Sequence, residues 1–347
     1  MRDVIEQLLN DQPLSESQAE DAFERIFRGD ADDPQIAAML ALIQRRQATV
    51  DELVGAARVM RRHAQHVSTK GLPAGARVLD TCGTGGTPKT FNISTVAAII
   101  VAAAGRDSGV FVAKHGNRSR SGRGSAEVLQ TLGVNIDASP DVQARCLEQT
   151  NVCFCFAIRH HPAAKHAAKV RLSLGVPTIF NLLGPLTNPA GATRQLLGVF
   201  DPSRVEPMAQ ALSRLGAERA WIVHSDDGLD EIATSAPTRI AEVNDGDVSI
   251  RTFDPVEVGV ERITLDQIRA RDLEAAAALV RAIFDGVDEA DVHAARDIAV
   301  VNAAAALVVT DGAASMKDGM EFARQAIASG AAARTLEALA RVSHESA

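Results

Sequence analysis

TCGTGGTPKTFNIST, residues 81–95, crowds glycines into a short loop and follows them with small hydroxyl and amide side chains. Before it stands ARVLD (76–80), a short apolar run that reads as a strand. After it comes VAAIIVAAAG (96–105), apolar for long enough to be a buried helix. A glycine loop between a strand and a helix turns backbone N–H groups, and the positive end of the helix, toward an anion. The pattern is neither GxGxxG nor GxxxxGK[ST], so neither a dinucleotide nor a P-loop reading transfers to it. Taken alone, the loop is equally consistent with a structural tight turn.

Outward from this loop the pattern alternates. GVFVA, NVCFCFAI, RQLLGVF and RAWIVH are short apolar runs separated by stretches of helical periodicity, as in a mostly parallel sheet covered by helices. RIAEVNDGDVSIRTF departs from this pattern: two alternating runs joined at Asn244-Asp245-Gly246-Asp247 predict a hairpin. The Ala-rich final third returns to helix.

The opening is helical instead. Ser15 with Gln18, and Thr49 with Glu52, form capping-box patterns, and Gly29 closes the first of these helices. Asp33 is the expected N-cap of a helix with Pro34 at its first position. Residues 1–67 are therefore expected to be a small helical domain, with residues 68–76 as a hinge and residues 76–347 as a large α/β domain.

Composition excludes several classes. The chain of 347 residues has 46% apolar and 23% charged residues, ordinary for a globular protein of about two domains. A net charge of −8 and the absence of Tyr argue against a nucleic-acid partner, which calls for a basic face and stacking rings. No basic-then-apolar leader and no uncharged apolar run of roughly 18 residues is present, so a cytoplasmic chain with no membrane association is expected. Cys82, Cys146, Cys153 and Cys155 form no CxxC pair and read as reduced thiols.

Four further stretches carry side chains of chemical interest. AKHGNRSRSGRGSAEVL (113–129) sets Lys114, His115, Asn117, Arg118, Arg120 and Arg123 among small residues just past a strand, suited to a phosphate or ribose phosphate. In RHHPAAKHAAKVR (159–171), His161, Lys165 and Lys169 would share a helix face, and Arg171 is suited to a carboxylate. His161 and His166 are wrongly spaced for zinc on a helix. GVPTIFNLLGPLTNPAG (175–191) is too rich in proline to be one helix; it is either a crossover between domains or a wall for a small aromatic ligand. VHSDDGLDEIA (223–233) clusters Asp226, Asp227, Asp230 and Glu231 after a strand, an acidic turn or a Mg²⁺ corner.

The order GTGG, TFNIST, KHGNR, HPAAKHAAKVR, TIFNLLGPLTNPA, GLDE resembles the anthranilate phosphoribosyltransferase family over nearly the whole chain. The resemblance implies a nucleoside phosphorylase/phosphoribosyltransferase-like fold. In it the helical domain receives a central segment near residues 161–190, the active site lies between the domains, and a homodimer forms through the helical domain. It also implies Mg²⁺ and two small-molecule substrates, 5-phosphoribosyl 1-pyrophosphate (PRPP) and anthranilate.

By position, the resemblance assigns PRPP to Gly83, Gly86, Thr87, Thr90, Asn92, Ser94 and Thr95. On the second loop it assigns PRPP to Lys114, His115, Gly116, Asn117, Arg118, Ser119, Ser121, Gly122 and Ser125. Anthranilate falls to Gly83, Asn117, His161 and Arg171, and the metal to Ser94, Asp230 and Glu231. No residue is expected to act as a covalent nucleophile. The chain departs from the family pattern where Thr87-Pro88-Lys89 replaces a loop that usually begins with Asp, and both glycine loops are one residue short. A pyrimidine nucleoside phosphorylase, or a relative that binds nucleic acid without transferase activity, are the alternatives.

Overall fold

The computed structural model of the chain describes residues 1–86, 90–119 and 122–346. Four helices open it: α1 (Arg2–Leu9), α2 (Glu16–Arg28), α3 (Asp33–Arg46) and α4 (Val50–Arg62). The capping boxes of Ser15 and Thr49 both form, and Gly29 ends α2 at φ 82°, a left-handed cap that favours glycine. The N-cap of α3 is Asp32, not Asp33: its carboxylate accepts from the Gln35 amide, which moves Pro34 to the second helical position.

Next come β1 (Arg77–Gly83), α5 (Ile93–Ala104), β2 (Val110–Gly116), α6 (Ser125–Thr131), α7 (Pro140–Thr150) and β3 (Val152–Phe156). The strand expected through Ala157-Ile158 stops at Phe156, where α8 (Ala157–His160) begins. The middle of the chain holds α9 (Lys165–Leu174), α10 (Phe180–Leu183), β4 (Arg194–Gly198), α11 (Val205–Arg214) and β5 (Arg219–Ser225). The hairpin β6 (Thr238–Asn244) and β7 (Asp247–Phe253) turns at Asp245 (φ 46°) and Gly246 (φ 100°), both left-handed as a two-residue hairpin turn requires. Then α12 (Leu273–Phe284), α13 (Ala290–Val309), α14 (Met316–Ala328) and α15 (Ala331–Val342) complete the chain.

Among the described residues one sheet forms, of seven strands in the order β3-β2-β1-β4-β5-β6-β7. β3, β2, β1, β4 and β5 run parallel, and the hairpin adds two antiparallel strands. After β1 the chain builds outward through β2 and β3, then returns to the other side of β1 for β4. The loops after β1 and β4 thus diverge, and a crevice opens at the carboxyl ends of these two strands.

Alternation along the strands feeds two cores. Leu196, Trp221, Val223 and Ile240 face a core with α5 and α13; Leu197, Ala220, Ile222 and Ala241 face another. That second core also contains Leu53 and Val59 of α4, Ala167 and Val170 of α9, and Phe180 and Leu183 of α10. The central segment therefore packs with the opening helices, joined to the sheet face through α11. Arg61 ties these layers polarly, donating to the Leu186 carbonyl at 2.8 Å and to the Leu215 carbonyl at 2.9 Å. α13 is long and apolar enough to cross a membrane, but 78% of that stretch is buried in the protein, where it packs against α5 as a core helix.

Candidate active site

A cleft of about 610 Å³ lies at the diverging strand ends. One wall is the loop after β1, where Gly85 (φ 65°) and Gly86 (φ 93°) take left-handed backbone that side chains rarely adopt. The floor is the start of α5, with Asn92, Ile93 and Ser94 lining the cleft, so the positive end of that helix faces it. Arg118, Ser119, Arg123 and Gly124 come from the loop after β2, and Pro177 and Asn181 from the central segment.

Asp230 and Glu231 close the acidic side. The Gly85 amide donates to Asp230 Oδ2 at 3.2 Å, and the Ser94 amide donates to Glu231 Oε1 at 3.2 Å. Gly83 lets Asp230 come close: a Cβ there would stand 2.5 Å from Asp230 Oδ2 and push that carboxylate aside. Burial and then the neighbouring Asp230 push the Glu231 carboxyl up to about 8. A Glu231 carboxyl held so high, with a second carboxylate beside it, marks a corner short of positive charge, which suits a divalent cation. Among the described residues no group of three His, Cys, Asp or Glu side chains stands at metal-binding spacing. Two carboxylates and the Ser94 hydroxyl match an ion that takes its remaining ligands from water and phosphate, as Mg²⁺ does.

The four clustered carboxylates divide. Asp227 turns back to accept from the Leu229 amide at 3.3 Å and from the Ser225 and Ser235 hydroxyls, leaving Asp230 and Glu231 to the cleft.

Other expected site residues lie one layer down. Lys114 is buried, its Nζ donating to the Thr81 carbonyl and to Ser94 Oγ at 3.3 Å, so it supports the floor. Burial lowers the Lys114 pKa, and Asp80, Cys82, Glu231 and Asp230 oppose that shift. Thr95 is buried beneath the α5 start. Gly116 and Ser125 abut, with a Cβ on Gly116 falling 2.2 Å from Ser125 Oγ. Asn117 Oδ1 accepts from the Arg118 amide at 2.8 Å, and Gly122 turns the loop at φ 70°. Thr87 and Ser121 lie outside the described residues.

His115 and His161 come together, ring centroids 5.2 Å apart, with His115 Nδ1 3.1 Å from the Gly184 carbonyl oxygen. Burial, then the other histidines, hold His115 well below its ordinary range and His161 down at about 4. His161 does not share a helix face with Lys165 and Lys169. Pro162 follows it, its backbone is non-helical at φ −120°, and α9 starts only at Lys165. Lys169 pairs with Asp33 of α3 at 3.1 Å. Arg171 lies on α9 with its guanidinium 4.9 Å from the Phe180 ring centroid, beside the cleft-lining Asn181.

Residue-by-residue resemblance missed Gly85, Arg123 and Asn181 as cleft residues. The density of cations in its loop already marks Arg123 as suited to a phosphate, whereas nothing local to TIFN sets Asn181 apart.

The chain matches the Glycosyl transferase family a/b domain over residues 75–333 and that family's helical bundle domain over residues 2–64. Bundle, sheet and cleft thus define a two-domain glycosyl transferase. A curated anthranilate phosphoribosyltransferase of Thioalkalivibrio sulfidiphilus is 48% identical over 328 residues, 94% of each chain. The crystal structure of anthranilate phosphoribosyltransferase from Thermus thermophilus superposes with a TM-score of 0.89 at 36% identity, covering 99% of this chain and 100% of that one. The Saccharomyces cerevisiae enzyme in complex with PRPP and Mg superposes with a TM-score of 0.86 at 25% identity, covering 98% and 97%. The chain belongs to the anthranilate phosphoribosyltransferase family. These likenesses do not favour a nucleoside phosphorylase or a nucleic-acid-binding relative.

Proposed function

We propose that the protein transfers the phosphoribosyl group of PRPP to the amine of anthranilate, giving N-(5-phosphoribosyl)anthranilate and pyrophosphate, a step of tryptophan biosynthesis. The observation that carries this reading is one cleft in which a glycine loop, a helix N-terminus, two arginines and an acidic pair converge.

In this reading Gly83, Gly86, Thr90, Asn92, Ser94 and Thr95 shape or support the seat of PRPP, and the segment from Lys114 to Ser125 closes over it. Lys114 and Thr95 serve from beneath, since both are buried. Ser94, Asp230 and Glu231 would hold Mg²⁺, which supplies neutralisation of the leaving pyrophosphate when bound. Arg171 and Asn117, with His115 and His161, take the anthranilate side.

The aryl amine is a weak nucleophile. The described residues lining the cleft include no histidine or lysine, and His115 and His161 on the anthranilate side are buried, not among those lining residues. Rate enhancement therefore comes from alignment of the amine with C1 of the ribose and from stabilising the departing charge. The helix end and Arg118 act on that charge without moving a proton.

A homodimer through the helical body, in the cytoplasm, belongs to the same proposal. Leu9 on α1 and Leu172 on α9, 64% and 80% exposed, are apolar side chains that a second copy would cover. Anthranilate fluorescence tests the reaction: it should fall when protein, PRPP and Mg²⁺ are mixed and hold steady when PRPP is omitted. Steady fluorescence with all components present would overturn the reading.

A further inference from the structure

Arg123 is the cleft cation that motif matching passes over. It stands between Gly122, at φ 70°, and Gly124, where a Cβ would fall 2.5 Å from the Asn117 carbonyl oxygen. The loop therefore excludes side chains on either side of the arginine. Its backbone is fixed twice: the Arg123 amide donates to Ser119 Oγ at 3.0 Å, and the Arg123 carbonyl accepts from Asn92 Nδ2 at 3.2 Å. Asn92 precedes α5 and makes no capping bond with its side chain. Its amide is committed to Arg123, which holds the arginine against the positive end of the helix.

The guanidinium donates one N–H to the Ala270 carbonyl, a neutral acceptor. Among the described residues no carboxylate pairs with it. A half-buried cation beside a helix N-terminus, uncompensated and lining a cleft, is electrostatically unfavourable until an anion arrives. A guanidinium offers five donors in a planar fork, and the Ala270 bond leaves others for phosphate oxygens.

We propose that Arg123 binds a phosphate group of the substrate directly and contributes to selecting a phosphorylated ribose. The inference rests on the phosphoribosyl-transfer reading. Its chemistry fits either the pyrophosphate or the 5-phosphate of PRPP, and two anions separate these sources.

Inorganic pyrophosphate with Mg²⁺, and ribose 5-phosphate, are titrated calorimetrically into the wild-type protein and into Arg123→Gln and Arg123→Lys. The glutamine variant should weaken one of the two anions by about tenfold, and lysine should recover part of that loss. The anion that weakens names the phosphate. The Michaelis constant for anthranilate should stay within about twofold in both variants. Wild-type binding of both anions by Arg123→Gln overturns the proposal. So does a matched loss of anthranilate and phosphate affinity with a lowered melting temperature, because Arg123 is then only the anchor to Ala270. A wild-type protein that consumes no anthranilate refutes the reaction instead, and the anion titrations still report on Arg123.

Discussion

Gly198 and Asp230 are in backbone contact: a Cβ built on Gly198 would lie 1.6 Å from the Asp230 carbonyl oxygen. The end of β4 thus sets how close the acidic corner comes to the loop after β1, whose Thr84 amide donates to the Gly198 carbonyl at 2.9 Å. Neither side of this contact is the end of a flexible side chain. Gly198→Ala should therefore displace the Asp230 backbone, lower stability by about 2 kcal/mol or more, and weaken the response of activity to Mg²⁺. Urea unfolding and a Mg²⁺ titration check this. Wild-type values in both would mean that the corner yields freely.

Asp230→Asn combined with Glu231→Gln removes the negative charge without removing volume. Turnover should fall sharply while anthranilate still binds, since neither carboxylate is assigned to it. The informative measurement is activity against Mg²⁺ concentration. An unaltered Mg²⁺ profile in the double variant would take both residues out of the metal site.

Arg171 stacks on Phe180, whose chain neighbour Asn181 lines the cleft. Arg171→Ala should cost a charge-assisted contact to the substrate carboxylate, on the order of 2–3 kcal/mol, and raise the Michaelis constant for anthranilate by tens of fold. That for PRPP should stay within about twofold, and Arg171→Lys should recover only part of the loss. Steady-state kinetics in both substrates decides: loss of PRPP affinity with anthranilate affinity retained would put the substrates on the opposite walls.

His161 links stability to pH. Burial, followed by the nearby His160 and His66, lowers it from 6.5 to about 4, so the folded protein binds its proton less readily than the unfolded chain does. The contribution is fully present above pH 6.5 and is lost as pH falls toward 4, amounting to about 3 kcal/mol over that window. His161→Asn should flatten the fall in unfolding free energy between pH 6.5 and 4 relative to wild type. Parallel curves for the two proteins would show that His161 is not held neutral by the fold.

Legibility in the sequence followed the range of the interaction. The capping boxes at Ser15 and Thr49 and the Asp245-Gly246 turn are decided within a few residues, and all were legible. Asp32 and Asp33 are adjacent residues with the same capping chemistry, so only the geometry separates them. His161 was misplaced although Pro162 supplied a local warning, because a residue before proline disfavours helical backbone. The division of the acidic cluster was not legible: Asp227 is drawn away partly by Ser235, eight positions on, across the start of the hairpin. The glycine loop, the α5 start and the Asp230-Glu231 pair line one cleft, a convergence of distant segments that no local pattern encodes. Arg123 was legible as a cation of its loop, while its place at the cleft is fixed by contacts with Asn92 and Ala270, both distant in the chain.

The shared core of α4, α9 and α10 imposes an order on biosynthesis. Leu53 and Val59 emerge from the ribosome long before Ala167, Val170 and Phe180, the side chains that complete their apolar surroundings. The opening helices must wait, partly uncovered, while β1, β2 and β3 are translated. At synthesis rates of roughly 5–20 residues per second that exposure lasts on the order of ten seconds, a window in which a nascent chain is open to chaperones.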